Sequence, residues 1–312
     1  MKSACFKWKA WLFQYFWITL IGILFLLSFF KNPSVSGLYI YLRQICILSF
    51  AVTGAAIVFL VGEIHLAAGG QIACVIVLFH WLMADRGFSA GVSCLLLAAA
   101  SAVFGWGYGF LNDRLHIKAI YFTFALQTVF NSLAVIGPLN FHPGKTTIRS
   151  ADFTIWTGTM LGIPRWIVFW ILVFGLLWCF LRYTRIGRSF PILGSASRED
   201  MERMETHTIK RAAFVLSSLL ITLTAVLFYM RTGTNSKIDG DSYSFNTLVA
   251  LCLGGLGGKK GQWILLCSLA GSAGVVMLHI LWQRWGPPLP EMMIDGVIIL
   301  YGLIFIQKKG DI

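Results

Sequence analysis

The sequence predicts an all-α fold, a polytopic membrane helix bundle of about ten transmembrane helices with both termini inside. Three observations carry that prediction. Hydrophobic residues make up 57% of the 312 and charged residues only 12%, about half the charged share of a soluble domain. Too little charge remains to cover a water-facing surface. The apolar residues fall into runs of roughly 20, the length of a helix across a hydrocarbon core about 30 Å thick. The basic residues, which bring the net charge to +12, gather in alternate connections between those runs, as the positive-inside rule requires. That scatter leaves no basic soluble domain for nucleic acid.

The first apolar run, 11–30, follows Lys2, Lys7 and Lys9. It is longer than a secretory h-region and no A-x-A-like site follows, so it reads as a retained helix. Further spans are expected at 42–61, 66–84, 89–111, 119–137, 165–183, 212–230, 245–258, 262–283 and 290–306. The span at 245–258 is short, which suits a broken or partly inserted helix. Ser101, Gly105 and Gly109 lie four apart, and Gly271 and Gly274 three apart. Such small-residue stripes let helices cross closely. His80 and His279 stand near span ends and read as interfacial. Of the two long loops, Pro138 to Pro164 falls outside. The loop 187–211 falls inside, within a single membrane domain of 1–312. Its stretch "SASREDMERME" reads as a surface helix, with Ser195 or Ser197 as cap and Glu199 and Asp200 in the first turn.

Chemistry-bearing residues are few. "LVGEIHLAAGGQ", Leu60 to Gln71, places Glu63 and His65 beside a small-residue run that includes Gly69. An acid–base pair alone lacks a nucleophile and an orienting group, and no H-E-x-x-H zinc pattern occurs. The stretch reads instead as a helix break bordering a translocation path, because irregular backbone at membrane depth needs protein or a water-filled cavity around it. Gln127 and Asn131 share a helix face at i, i+4 and would line a polar path. Asp295 lies in the last span and should face the bundle interior. "LGGLGGKKG" approaches a phosphate-binding loop, but Lys260 follows Lys259 where Ser or Thr is needed to hold Mg²⁺. The seven cysteines are scattered, without C-x-x-C spacing. No catalytic set, metal site or bound cofactor is expected. The residues alone describe a ten-helix transporter with a charged internal docking loop.

Four segments, in order, resemble the permease subunits of ribose-type ABC importers. They are Gly62-Glu63-Ile64-His65-Leu66-Ala67-Ala68-Gly69, the run Lys118 to Ser132, Thr184-Arg185-Ile186-Gly187-Arg188 with Gly194, and Ala250 to Gly255 with Gly257, Gly258 and Gly261. The likeness extends from about Gln44 to near the C-terminus. His65 stands where the family has aspartate, Asn131 where it has arginine, and Lys118 where it has proline.

The resemblance implies a permease of the bacterial cytoplasmic (inner) membrane that moves a monosaccharide or related small polar solute. It implies a soluble binding protein, a separate ATPase carrying ATP and Mg²⁺, and a second permease, identical or not. It casts Arg188, Gly194, Arg198, Glu199 and Asp200 as the ATPase-coupling loop. Glu63, His65, Gly69, Gln127, Asn131, Gly254, Gly255 and Asp295 become candidates for the path or its gates. Two rivals remain on sequence alone. One is an ion-coupled secondary transporter using Glu63, His65 and Asp295; the other is a membrane enzyme acting on lipid-linked substrate. The scarcity of intramembrane carboxylates counts against both.

Overall fold

Long apolar runs leave the backbone one inexpensive solution in lipid, the helix, which satisfies its own N–H and C=O groups. The computed structural model shows that solution nearly throughout. It describes residues 35–115, 117–140, 158–160, 163–195, 205–233, 238–254, 263–285, 290 and 293–300, with 22, 23 and 26 besides. The helices are α1 (Val35–Leu60), α2 (Ala68–Ala84), α3 (Ala90–Leu115), α4 (Ala119–Asn140), α5 (Arg165–Tyr183), α6 (Arg185–Leu193), α7 (Thr206–Thr232), α8 (Ile238–Leu253) and α9 (Ile264–Trp285). Residues 293–300 form a further helical segment, α10. Ahead of α5, β1 (Thr159–Met160) pairs antiparallel with β2 (Ile163–Pro164).

Nine of the expected spans thus coincide with helices, while most of 11–30 lies outside the described residues. Among the described residues six helices are long and apolar enough to cross a membrane; α2 and the Ser242–Leu253 part of α8 are apolar but shorter.

Burial separates inner from outer helices. About two-thirds of the most apolar window is buried in α1 and in α7, against 11% in α5. Helix α7 packs on α1, α2 and α3, and α9 packs on α1 and α8. The outer helices turn large apolar side chains outward, among them Leu95 and Val103 of α3, Tyr121 of α4 and Leu176 of α5. Patches of that size do not face water in a stable monomer. This is a multi-pass membrane protein.

Helices in lipid gain little from hydrophobic exclusion, so close packing and polar contacts must join them. Both are present. Gly105 and Gly109 bring the backbone of α3 onto α7: a Cβ on Gly105 would lie 2.7 Å from Phe214 O, and one on Gly109 2.7 Å from Arg211 Cα. Ser101 continues the stripe with a hydroxyl bond to Thr222. Gln71 of α2 donates to Ser218 O at 3.0 Å and accepts from the Ser218 hydroxyl at 3.2 Å. Thr53 and Ser268 join α1 to α9 at 2.8 Å. His80 is held inside the bundle. It is buried, with Nδ1 2.8 Å from the Tyr229 hydroxyl, tying α2 to α7. Its place near a helix end gave no hint of that partner.

The Gly105→Leu variant should lose thermal stability by about 1–3 kcal/mol or fail to accumulate, because overpacking would pry α3 from α7. Gly107→Leu is the control, since a Cβ there meets nothing within 4 Å. Melting curves of the two variants in one detergent test the difference.

Candidate functional site

The connection between α1 and α2 leaves helical geometry. Gly62, with φ +84°, turns the chain out of α1, a conformation that favours glycine. Residues 63–66 then run without regular structure to the start of α2. Their backbone groups need outside partners, and α4 supplies them. Leu66 N–H donates to the Thr123 hydroxyl oxygen at 3.1 Å, and that hydroxyl faces Ile64 O at 3.4 Å and Ala119 O at 2.7 Å. One turn further along α4, Gln127 accepts from Gly70 N–H at 2.7 Å and donates to the Ser244 hydroxyl at 2.6 Å. Gly70 permits that approach, because a Cβ on it would lie 2.6 Å from Gln127 O.

Glu63 is bound on both oxygens. Oε1 lies 2.8 Å from Lys210 Nζ, near the start of α7, and Oε2 accepts from Ala119 N–H at 3.3 Å. A carboxylate at the N-terminus of α4 also meets the positive end of the helix dipole. His65 is buried between Tyr108 and Phe214, with ring centroids 5.7 and 5.8 Å away. Neither ring nitrogen has a hydrogen-bond partner among the described residues. It lies in the connection, outside the spanning helices, and burial pushes its pKa down to about 4. The imidazole is therefore neutral near pH 7. Beside this cluster, Asp113 meets Arg211 at 3.2 Å and His207 at 3.1 Å.

Helix α6 lies against the same end of the bundle. Thr184 caps it by accepting from Gly187 N–H at 3.0 Å. Gly187, Phe190 and Leu193 turn inward, while Arg185 and Arg188 are exposed. A Cβ on Gly194 would fall 2.0 Å from Leu60 O and 3.3 Å from Gly62 N. The end of α6 thus touches the α1–α2 connection backbone to backbone. A short helix lies at Arg185–Leu193, ahead of the one expected from Ser195 or Ser197 onward, which beyond Ser195 falls outside the described residues. Gly187 and Pro191 inside α6 argue against helix on propensity; its inward face and its cap outweigh them. Residues 196–204, with Arg198, Glu199 and Asp200, lie outside the described residues, as does Gly255.

The remaining candidates are dispersed. Gly69 is buried at the start of α2. Asn131 is half-buried, and its Oδ1 has no partner among the described residues. Gly254 ends α8 against α9, where a Cβ would meet Cys267 O at 2.4 Å. Asp295 is buried, with Oδ1 2.9 Å from His279 Nε2. In the orientation that satisfies its amide, Asn246 donates to Asp295 Oδ2 at 3.3 Å. His279 is therefore a partner inside the bundle rather than an interfacial anchor. Among the described residues no group of three His, Cys, Asp or Glu side chains is placed to hold a metal. Sequence reasoning gave no role to Thr123 or Lys210, and quoted Thr184 only within a resembling segment. Thr123 carried a signal, four residues before Gln127 on one face.

Thr123→Val keeps the shape of the side chain but strands Leu66 N–H, which should cost about 1–3 kcal/mol. Thr128→Val removes an exposed hydroxyl bonded only within its own helix and should cost far less. Equal melting temperatures for the two variants would contradict the stitching role of Thr123.

With this geometry in place, comparison with known proteins gives a consistent answer. A family model described as the permease component of branched-chain amino acid transport systems matches residues 37–303. The ribose import permease protein RbsC of Escherichia coli strain K12 is 24% identical over 317 residues, covering 96% of each chain. RbsC of Bacillus subtilis strain 168 is 24% identical, covering 86% of this chain and 84% of its own. The autoinducer 2 import system permease protein LsrC of Photorhabdus laumondii is 25% identical, covering 83% and 78%. No solved structure matches. The model match takes in both the α1–α2 connection and the α6 segment seated on it, and the chain belongs to the family of branched-chain amino acid transport system permease components, as an ABC importer permease.

Proposed function

We propose that this chain is the membrane subunit of an ATP-driven importer for a monosaccharide or a related small polar solute. It sits in the bacterial cytoplasmic membrane and receives its ligand from a soluble binding protein outside. ATP and Mg²⁺ act on a partner ATPase, and a second permease completes the pore. The names of the relatives, which import ribose and autoinducer 2, support that substrate class.

The observation that carries the mechanism is the seating of Gly194 on Leu60 and Gly62. A partner that moves the segment 185–211 pushes directly on the α1–α2 connection. Glu63 links that connection to Lys210, at the far end of the same segment, and to the N-terminus of α4. A displacement at the ATPase surface therefore reaches three spanning helices through a few contacts. Arg188 is exposed on the outer face of α6, where an ATPase groove would meet it, and Arg198, Glu199 and Asp200 follow in the same loop of the chain. The basic residues support the orientation. Arg114, Lys118, Arg182, Arg185, Arg188, Lys210 and Arg211 flank this one end of the bundle, which favours the cytoplasm. Ten crossings with both termini inside fit this arrangement. Glu63, His65, Gly69, Gln127, Asn131, Gly254, Gly255 and Asp295 shape or gate the path chiefly by fixing helix breaks and crossings.

Affinity purification of the chain from its native membrane in mild detergent should recover an ATPase subunit. The Arg198→Ala, Glu199→Ala, Asp200→Ala triple variant should lose it while the permease stays folded. Recovery of a stable permease alone would overturn the proposal. So would ligand uptake that persists with ATP depleted and collapses with the ion gradient.

A further inference from the structure

Between α1, α5 and α7 a small open groove lies at the end of the bundle opposite α6. Arg43 of α1 stands in it half-buried, with Trp166 and Trp170 on one wall and Phe50 and Leu227 beneath. Among the described residues no carboxylate lines it. Arg231 follows the lining residue Met230 and lies close enough to Arg43 for the two positive charges to oppose each other. Among the described residues neither guanidinium forms an ion pair. Arg43 in an apolar groove, with the second positive charge of Arg231 nearby, favours an anion, and a guanidinium matches a phosphate with two parallel hydrogen bonds. Trp166 begins α5, where tryptophan sits at the level of lipid headgroups. The Trp170 ring is held in place by its N–H bond to the Ser49 hydroxyl at 2.9 Å and by Phe174, 4.6 Å away. The base of the groove is apolar, as an acyl chain requires and a free phosphate does not. Helix α5 itself buries little against the bundle, so an occupant of this groove adds to what holds it.

We propose that the groove binds one anionic phospholipid, with its phosphate between Arg43 and Arg231 and an acyl chain along Phe50 and Leu227. The full-length protein, purified with its partners in mild detergent, is given equal amounts of phosphatidylglycerol and phosphatidylcholine and examined by native mass spectrometry. Phosphatidylglycerol should be retained at least ten-fold over phosphatidylcholine. The Arg43→Gln, Arg231→Gln double variant should lose that retention at least five-fold, and Arg114→Gln, at the other end of the bundle, should not. Equal retention of the two lipids, or equal phosphatidylglycerol retention by the double variant, would overturn the site. A lipid-free pair of chains that the double variant dissociates would assign the groove to a second copy instead. If the double variant does not fold, melting of the unaltered protein decides. Phosphatidylglycerol should raise the melting temperature, and an equal rise with phosphatidylcholine would refute the proposal.

Discussion

Thr123 and Gln127 of α4 carry the constraint on which the rest of the bundle depends. A chain in lipid cannot leave backbone N–H and C=O groups bare, yet residues 61–67 interrupt the helix between α1 and α2. The α4 side chains take up the exposed groups at Leu66, Ile64 and Gly70. Once α4 is committed to this task, its register against α2 is set. Gln127 then reaches Ser244 and brings α8 to the same place. One irregular connection thus arranges α2, α4 and α8 around itself.

This commitment changes the meaning of the polar residues. Gln127 and Glu63 look from sequence like groups waiting for a solute. In the structure every oxygen of Glu63 and both ends of Gln127 already have protein partners. Their chemistry is spent on holding a break open at defined geometry, which is how irregular backbone survives in a membrane. His65 differs. It is sealed by aromatic rings and acts as a packed, neutral ring. The aspartate expected there from the family would place a charge among those rings, and burial of an unpaired charge is costly.

The spanning helices were legible because hydropathy and length are local properties. The stripe of Ser101, Gly105 and Gly109 was legible for the same reason, since spacing alone puts small residues on one face. Helix α6 was hidden by Gly187 and Pro191, whose intrinsic preferences oppose a helix. What overrides them is the fit of Gly187 against Phe180 O and of Gly194 against Leu60 O, contacts between distant segments. Lys210 was unreadable as the partner of Glu63, because 147 residues separate them and no local pattern links the two. His279 and Asp295 are nearer in sequence, yet their pairing depends on how α9 and α10 meet.

Helix α2 is 17 residues long, a few short of a comfortable crossing at 1.5 Å per residue. It also carries Gln71, whose amide finds Ser218 only on α7, 147 residues later in the chain. During synthesis α2 enters the membrane well before that partner exists. At that stage the amide faces lipid, lingering water or the insertion machinery. The seam between α2 and α7 can therefore close only after α7 has been made.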